Sequence, residues 1–361
     1  MPAHRDRRRR RWPWVLGGAF GSLVTVAVVL AFVFQFGLPW WSGDADRNHV
    51  HVSPSGERQH YQVHLPPQHD GSTQLPVMMA LHGCGMTGFG WNSMKASTQF
   101  NALADREGFI VVYPTQRLFA NALNCWNSAE PRHQVRDAGE PALLAGVARE
   151  IVETYGADPD RIHVSGASSG AGTAVILGIT YADVFATVTS VAGGEYGLDR
   201  VDPDDPDATP PTATARSAWE QMGDRAQPVP LLVVQGGRDD VVPSIVGERL
   251  VEHWIALHDL VDDGLPNDSL ALVAETVTHP PAGERYGYEH TRFRTLEGDV
   301  LIEYVFADEL AHAWSTPDSE GIFTDTAGPD ATRIAWRFAE LHDNRWRPSA
   351  AVLQNRTNSH P

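Results

Sequence analysis

The sequence predicts an α/β protein: a mainly parallel sheet with helices on both faces, preceded by one N-terminal transmembrane helix. Short apolar strands alternate with amphipathic helices over most of the chain, a pattern typical of βαβ units. The strands are continuous apolar runs such as VMMAL, as expected for strands buried on both faces. Residues 12–43 contain no Asp, Glu, Lys or Arg, and about 20 apolar residues are enough to cross a bilayer.

The N-terminal segment indicates a membrane anchor. Arg5 and a run from Arg7 to Arg11 precede the uncharged stretch and are expected to stay in the cytoplasm, with Trp40 and Trp41 at the far interface. A cleaved signal peptide is the alternative, although Gly43-Asp44-Ala45 is a poor cleavage site. We expect an arm and anchor at 1–43, a linker at 44–58, a catalytic domain at 59–344 and a polar tail at 345–361. The catalytic domain should lie outside the cytoplasm on a single-pass protein of the cell membrane, or be secreted after cleavage.

Charge and cysteine content narrow the possible partners. The 361 residues carry a net charge of −17, but residues 1–11 carry +5, which leaves −22 for the rest. Such an acidic chain argues against nucleic-acid partners. Cys84 and Cys125 are the two cysteines, and in an oxidising compartment a disulfide between them is expected, with two buried thiols as the alternative.

The elements of the domain follow one another in regular order. The predicted strands are LPVMMALHG, FIVVYP, RIHVSG, FATVTSVAG and VPLLVVQGG, followed by a hairpin in EHTRFRTLEGDVLIEYVF that turns at Glu297-Gly298. The predicted helices are STQFNALADREG, PALLAGVAREIVETYG, SGAGTAVILGITYA, residues 244–258 and DATRIAWRFAELHD. Residues 199–229 are acidic and proline-rich in their first half, and we interpret them as a surface insertion near the functional site.

The stretch RIHVSGASSGAG contains a Gly-x-Ser-x-Gly motif centred on Ser168. A strand precedes the motif and a helix follows it, the context in which a serine hydroxyl is exposed on a sharp turn as a nucleophile. The motif alone is weak, because a tight strand-to-helix connection needs the same small residues.

A nucleophilic serine needs a base, and the base needs an orienting acid. Asp239 follows the strand LLVVQGG in the loop before a helix, with Asp240 as its competitor. His312 in ADELAHAWS follows the last strand and is the preferred base. His279 and His290 also follow the acid in sequence, but neither lies in a loop after the last strand.

An oxyanion also needs two backbone donors. The amide of Ser169, the residue after the nucleophile, is one candidate. The loop after VMMALHG supplies the other from Cys84 or Gly85, where glycine allows close backbone approach.

Seven segments together resemble one family. LHGCG, NCWN, ADPDRIHVSGASSGAG, DVFATVTSVAGGEYG, VVQGGRDDVVP, HAWS and FTDTAGPDAT occur in the order and spacing of the polyhydroxybutyrate depolymerase-like esterases, which are related to feruloyl and acetylxylan esterases of the first carbohydrate esterase family. The resemblance covers roughly residues 60–342. It departs at Gln235, where the family usually has histidine, and around Ser168, where Ala-Ser-Ser replaces a common leucine and alanine.

The resemblance implies an α/β-hydrolase fold and serine ester hydrolysis without a metal or organic cofactor. It places the nucleophile at Ser168, the acid at Asp239, the base at His312 and the oxyanion loop at Cys84. Trp126 is expected in the wall of the substrate pocket, together with His82, Gly85 and Trp314. No polymer-binding domain is expected after the catalytic region, so we do not expect action on solid polyester.

The predicted function is ester hydrolysis outside the cytoplasm, on small or oligomeric esters such as short hydroxyalkanoates. A feruloyl or acetylxylan esterase acting on plant polysaccharide is one alternative, because specificity depends on loop shape. A binding protein that has the fold without the chemistry is another, and the presence of all three candidate catalytic residues argues against it.

Overall fold

A computed structural model of the chain describes residues 25–37 and 45–344. A ten-stranded sheet forms its centre, in the order β1-β2-β4-β3-β5-β6-β7-β10-β9-β8. The strands are β1 (Asp46–Val52), β2 (Arg58–His64), β3 (Val77–Leu81), β4 (Ile110–Thr115), β5 (Ile162–Ala167), β6 (Thr187–Val191), β7 (Leu231–Gly236), β8 (Val273–His279), β9 (Tyr288–Arg294) and β10 (Val300–Ala307).

Helices connect the strands and cover both faces of the sheet. They are α1 (25–36), α2 (Met94–Thr98), α3 (Phe100–Glu107), α4 (Gly139–Tyr155), α5 (Ser169–Thr180), α6 (Pro211–Met222), α7 (Ser244–Asp263) and α8 (Ala331–Glu340). Two short strands, β11 (Trp314–Ser315) and β12 (Thr324–Asp325), pair outside the main sheet.

The central six strands, from β4 to β10 in the sheet order, are parallel, whereas β1, β2, β8 and β9 pair antiparallel at the two sides. Alternate residues of each parallel strand enter different cores, as the two-residue period of a strand requires. Met79 of β3 packs with α4, α5 and α7, whereas Met78 packs with α2, α3 and α8. The predicted mainly parallel sheet with helices on both faces is therefore confirmed.

This topology brings the carboxyl ends of β3, β4, β5, β6, β7 and β10 to one side of the sheet, which we call the C-terminal edge. Ligands of open α/β sheets bind outside the carboxyl ends of the strands. The loops that follow β3, β5, β7 and β10 carry Cys84, Ser168, Asp239 and His312, so all four lie at this edge.

Two sequence-based expectations about the elements are wrong. Residues 46–52, expected in a linker, form the edge strand β1. The only apolar residues of its sequence DRNHVHV are two valines, so it has no apolar run by which a strand could be predicted. The second half of the expected surface insertion forms α6, whose Ala215, Ala218 and Met222 are buried in the core.

The predicted transmembrane segment lies partly outside the described residues. Within 25–37 and 45–344, no helix is both long and apolar enough to cross a bilayer. The basic arm and the tail at 345–361 fall outside the described ranges.

Candidate active site

Ser168 lies on a sharp turn between β5 and α5. Its backbone has φ 54° and ψ −120°, a conformation that costs about 1–3 kcal/mol for a residue with a side chain. The turn is held on both sides, because the Ser168 amide donates to the Val191 carbonyl at 2.9 Å and the Ser168 carbonyl accepts from the amide of Ala171 at 2.9 Å. The strain is typical of a serine presented to a substrate at the top of a strand.

The glycines of the motif are required by close packing. A Cβ on Gly166 would lie 2.2 Å from the Gly170 carbonyl oxygen, and a Cβ on Gly170 would lie 2.4 Å from the Leu81 carbonyl oxygen. Any larger residue would push α5 away from β5 or β3. The motif is thus a tight strand-to-helix connection and also a device that exposes Ser168.

Asp239 and His312 contact each other across the loops after β7 and β10. The Nδ1 atom of His312 lies 2.8 Å from Oδ2 of Asp239, and the Asp239 side chain is fully buried whereas 14% of the His312 side chain is exposed. The amides of Val241 and Val242 donate to Oδ1 of Asp239 at 3.0 and 2.8 Å. Asp240, the competing acid, is exposed.

These bonds determine which nitrogen of His312 is available. A carboxylate oxygen can only accept, so Nδ1 carries the proton and the Nε2 lone pair is left as the base. The two loops are joined by their backbones as well, since the Gly237 amide donates to the Ala307 carbonyl at 2.9 Å and the Arg238 amide to the Leu310 carbonyl at 3.0 Å. Among the described residues, no hydrogen bond joins Ser168 Oγ to His312. Catalytic hydrogen bonds of this kind often form fully only when the substrate is bound.

The alternative histidines lie elsewhere. His290 in β9 contacts Glu303 of β10, and His279 at the end of β8 stacks on Tyr288 with ring centroids 4.3 Å apart. Both belong to the antiparallel side of the sheet, where β9 and β8 lie four and five strands away from β5.

The loop after β3 lies against the serine. A Cβ on Gly83 would be 3.4 Å from Cβ of Ser168, so the two residues lie in van der Waals contact. The amide of Gly85 is used internally, because it donates to the Leu123 carbonyl at 2.7 Å. Among the described residues, the amides of Cys84 and Ser169 have no acceptor. Of the two candidates in this loop, the geometry therefore favours Cys84 over Gly85 as a donor.

The disulfide between Cys84 and Cys125 is present, with Cα atoms 4.1 Å apart, and this prediction is confirmed. It joins the loop after β3 to the loop after β4. The bond closes a segment of 41 residues, for which the chain-entropy model gives an upper guide of about 4 kcal/mol. Because Cys84 carries one candidate oxyanion donor, the bond braces that donor directly.

His82 fixes the start of the same loop. Its Nε2 accepts from the Gln116 amide at 3.0 Å, so its Nδ1 carries the proton and donates to the Gly83 carbonyl at 2.8 Å. Burial lowers the pKa of His82 to about 4, which keeps the ring neutral. The side chain is fully buried, so His82 supports the loop from behind rather than lining a substrate pocket.

Two predicted pocket residues are also buried. The Trp126 ring packs against His82 with centroids 5.3 Å apart, and its amide donates to Ser169 Oγ at 3.3 Å. Trp314 is 1% exposed, contacts Phe100 and donates from Nε1 to Thr332 Oγ1 at 2.9 Å. The expectation that Trp314 lines the pocket is wrong, because β11 turns its side chain into the core under α2 and α8.

A cavity of about 300 Å³ opens beside Ser168 and Ser169. Residues that the sequence did not indicate line it, among them Gln134, Ile176, Leu198 and Val242. Gln134 Nε2 donates to Asp199 Oδ1 at 2.6 Å, which links the loop before α4 to the start of the insertion. The insertion was expected near the site, and its first residue lines this cavity.

A buried ion pair holds the insertion in place. Arg249 of α7 donates from Nη2 to Glu195 Oε1 at 2.7 Å and to the Thr209 carbonyl at 2.7 Å, and from Nη1 to the Pro206 carbonyl at 3.0 Å. Glu195 itself lines the cavity. Arg249 of α7 therefore holds Glu195 in the wall of the cavity, a contact that the sequence alone does not indicate.

The chain is similar to several known proteins. The family model described as "Esterase PHB depolymerase" matches residues 59–267. Poly(3-hydroxyalkanoate) depolymerase C of Paucimonas lemoignei is 27% identical over 273 residues, which cover 70% of this chain and 58% of that protein. Feruloyl esterase B of Neurospora crassa is 32% identical over 123 residues, covering 34% of this chain and 40% of the relative. The chain thus spans less than two thirds of the length of either relative.

Among solved structures, the acetyl xylan esterase from Aspergillus awamori superposes with a TM-score of 0.58 at 19% identity. The match covers 74% of this chain and 93% of that one. At this identity the similarity establishes the fold alone, and it supports the predicted α/β-hydrolase architecture.

Proposed function

The chain belongs to the esterase PHB depolymerase family, and from this premise we propose that it is a serine carboxylic ester hydrolase acting through an acyl-enzyme. The observation that carries the proposal is the Asp239–His312 contact at the same sheet edge as the strained Ser168 turn. Strained backbone at a nucleophile and a histidine held in one tautomer are both features that acyl transfer requires.

The proposed reaction uses only groups of the chain and water. His312 Nε2 removes the proton from Ser168 Oγ, which attacks the ester carbonyl carbon. The amides of Cys84 and Ser169 stabilise the tetrahedral oxyanion, the C–O bond to the alcohol breaks, and His312 returns the proton to the leaving oxygen. Water, activated by His312, then attacks the acyl-enzyme and releases the acid and free Ser168.

Asp239 orients His312 and stabilises its charge. During each step His312 becomes an imidazolium, and the buried carboxylate beside it offsets this charge. The two backbone amides on Oδ1 stop the carboxylate from rotating, so Oδ2 stays aimed at Nδ1. Gln235 supports the same loop, because its Nε2 donates to the Val242 carbonyl at 2.9 Å.

We propose short-chain hydroxyalkanoates or similar esters as substrates. The cavity beside Ser168 is small, with apolar side chains from Ile176, Leu198 and Val242 and a polar side at Gln134 and Asp199. These observations favour a short acyl group with polar substituents over a long apolar one.

The proposed location is outside the cytoplasm, with attachment to the membrane through the N-terminal segment. The Cys84–Cys125 disulfide supports an oxidising compartment. The arginine cluster before an uncharged run supports a cytoplasmic N-terminus. A signal peptide cleaved near Asp46 is the alternative to membrane attachment. The net charge of −22 beyond residue 11 supports the absence of nucleic-acid partners.

The test replaces Ser168 with alanine. Turnover of acetyl and butyryl esters should fall by about 10⁴-fold or more, and a fluorophosphonate probe should label the wild type at Ser168 but not the variant. Ser217→Ala on the exposed face of α6 is the matched control and should keep both activity and labelling. Full activity in the Ser168 variant would refute the mechanism. A panel that includes feruloyl and 3-hydroxybutyrate-oligomer esters then separates the proposed substrates from those of the plant-polysaccharide esterases.

A further inference from the structure

The helix α1 is fastened to the C-terminal edge of the sheet. Gln35 is fully buried there, and its Nε2 donates to Thr115 Oγ1 at 2.9 Å and to the Gln116 carbonyl at the end of β4. The amide of Trp91 donates to the Phe34 carbonyl at 2.9 Å. A buried side chain with two acceptors is costly to withdraw, so these bonds fix the end of α1 on the domain.

Aromatic and backbone contacts reinforce the attachment. Phe36 packs on His60 with ring centroids 4.8 Å apart, and Phe34 packs on Trp91 at 5.6 Å. A Cβ on Gly90 would lie 2.3 Å from the Phe34 carbonyl oxygen, so the two backbones touch and only glycine fits. The direction of α1 relative to the site is therefore set by packing.

The rest of α1 presents apolar side chains to its surroundings. Five of them are more than half exposed: Val26, Val28, Val29, Leu30 and Phe32. Contiguous exposed apolar surface of this kind marks a contact with another apolar phase or partner.

A second set of exposed apolar side chains lies beside the oxyanion loop. We call it the apolar rim and define it as Trp91, Phe119, Leu123, Ile322 and Phe323. Their loops follow β3, β4 and β10, and Phe119 is 84% and Ile322 63% exposed.

Direct contacts make the rim continuous with both α1 and the oxyanion loop. The Ile322 amide donates to Asn92 Oδ1 at 2.9 Å, next to Trp91. The Phe323 ring would be 3.7 Å from a Cβ on Gly85, whose amide bonds the Leu123 carbonyl. The apolar surface thus runs from Phe34 in α1 across the rim to the loop that carries Cys84.

We propose that the exposed apolar side chains of α1 and the apolar rim form one surface that contacts a lipid bilayer, so that the oxyanion loop lies next to the membrane. The inference rests on the proposed membrane attachment and not on the ester hydrolysis. The uncharged run at 12–43, within which α1 lies, makes lipid the occupant that continues this surface. The charge of −22 beyond residue 11 opposes attraction to anionic headgroups, so the contact is apolar and suits zwitterionic lipid.

The experiment uses the full chain in phosphatidylcholine vesicles. Phe119→Cys and Ile322→Cys are labelled, without reductant, with an environment-sensitive fluorophore, and spin-labelled phosphatidylcholine is added as quencher. Leu296→Cys is the matched control, because this 75% exposed leucine lies in the turn between β9 and β10 at the opposite edge of the sheet. Labels at 119 and 322 should lose most of their emission, and the label at 296 should keep it.

Equal emission from all three labels in vesicle-bound protein would overturn the proposal. Protein that stays in the aqueous fraction would overturn it too, and with it the membrane attachment. Hydrolysis of a soluble butyryl ester is measured on the same samples. A quenched rim in a protein without activity would support the lipid contact while contradicting the proposed hydrolase, and an unquenched rim in an active protein would do the reverse.

Discussion

Among the histidine–carboxylate pairs of the described residues, two have almost the same N···O distance but different surroundings. His312 contacts Asp239 at 2.8 Å, and His290 contacts Glu303 at 2.7 Å. Both carboxylates are almost fully buried. We assign the first pair to catalysis and the second to the stability of the sheet, so the contact itself does not determine the role.

The surroundings of the two carboxylates account for the difference. Asp239 has backbone amides on its second oxygen, which leave its negative charge to His312. Glu303 has Arg292 on its second oxygen at 3.0 Å, so a cation already compensates it. Burial opposes ionisation of Glu303, but the bonds from His290 and Arg292 outweigh it and lower its pKa. We therefore expect a histidine to act as a base where its carboxylate has no second cationic partner and where the histidine lies in a loop at the C-terminal edge of the sheet.

Removing the two histidines separately should give the largest contrast. His312→Ala should lower kcat on a butyryl ester on the order of 10⁵-fold, and it should also lower the free energy of unfolding, because the buried Asp239 carboxylate loses its partner. His290→Ala should keep kcat and lower the free energy of unfolding by about 1–3 kcal/mol, since Glu303 loses a buried partner. Initial rates and urea unfolding measure both quantities, and a large loss of kcat in the His290 variant would contradict the assignment.

Neutralising the two acids tests the role of the carboxylate charge. Asp239→Asn should lower kcat on the order of 10⁴-fold, because the amide no longer stabilises the imidazolium and disturbs its tautomer. Glu303→Gln should lower only stability, by about 1–3 kcal/mol, as His290 and Arg292 lose their shared anion. The same two assays apply, and similar kinetic effects of both substitutions would remove the distinction between the pairs.

Histidines without a carboxylate partner should respond to pH in a way that neither pair does. Burial lowers the pKa of His163 to about 3, and its Nδ1 bonds Thr187 Oγ1 at 3.0 Å. Between pH 3 and about 6.5, His163 is protonated in the unfolded chain but neutral in the folded protein. Its contribution to the free energy of unfolding is therefore complete above pH 6.5 and falls by ~1.4 kcal/mol per pH unit as the pH decreases. His163→Gln should reduce the slope of unfolding free energy from pH 6.5 to 5 by about this amount. The slopes of both proteins should agree between pH 7.5 and 8.5, and equal slopes in the acid range would contradict the prediction.

The sequence predicts the central elements well because each of them is apolar and bounded by glycine or proline. All five predicted single strands and the hairpin turning at Glu297-Gly298 are present. The predicted helix STQFNALADREG is divided into α2 and α3 at Gln99, where φ is 54°. No glycine or proline at this position indicates the break. The sequence does not predict β1, β2 or β8. The exposed or half-exposed residues of β1 and β8 have no apolar pattern, and β2 has only Tyr61 and Val63 as apolar residues.

The candidate site divides in the same way. Ser168, Asp239 and His312 can be proposed from the sequence because each follows a recognisable strand, and the topology brings the ends of those strands to one edge. Trp314 was misplaced because two neighbouring residues of a short strand point to opposite sides, which spacing from His312 does not reveal. The sequence does not indicate Gln134, because the cavity is closed between two loops that are 65 residues apart and only the fold brings Gln134 to Asp199.

The Cys84–Cys125 bond also decides how the protein is best prepared. It joins loops that follow β3 and β4, and those two strands are already paired in the sheet without it. A chain produced in a reducing cytoplasm, or stored with a thiol reductant, therefore keeps its sheet while the loop beside Ser168 loses its brace. The concentration of soluble protein then exceeds the concentration of catalytically competent protein. Titration with an active-site probe therefore gives the active concentration of a preparation.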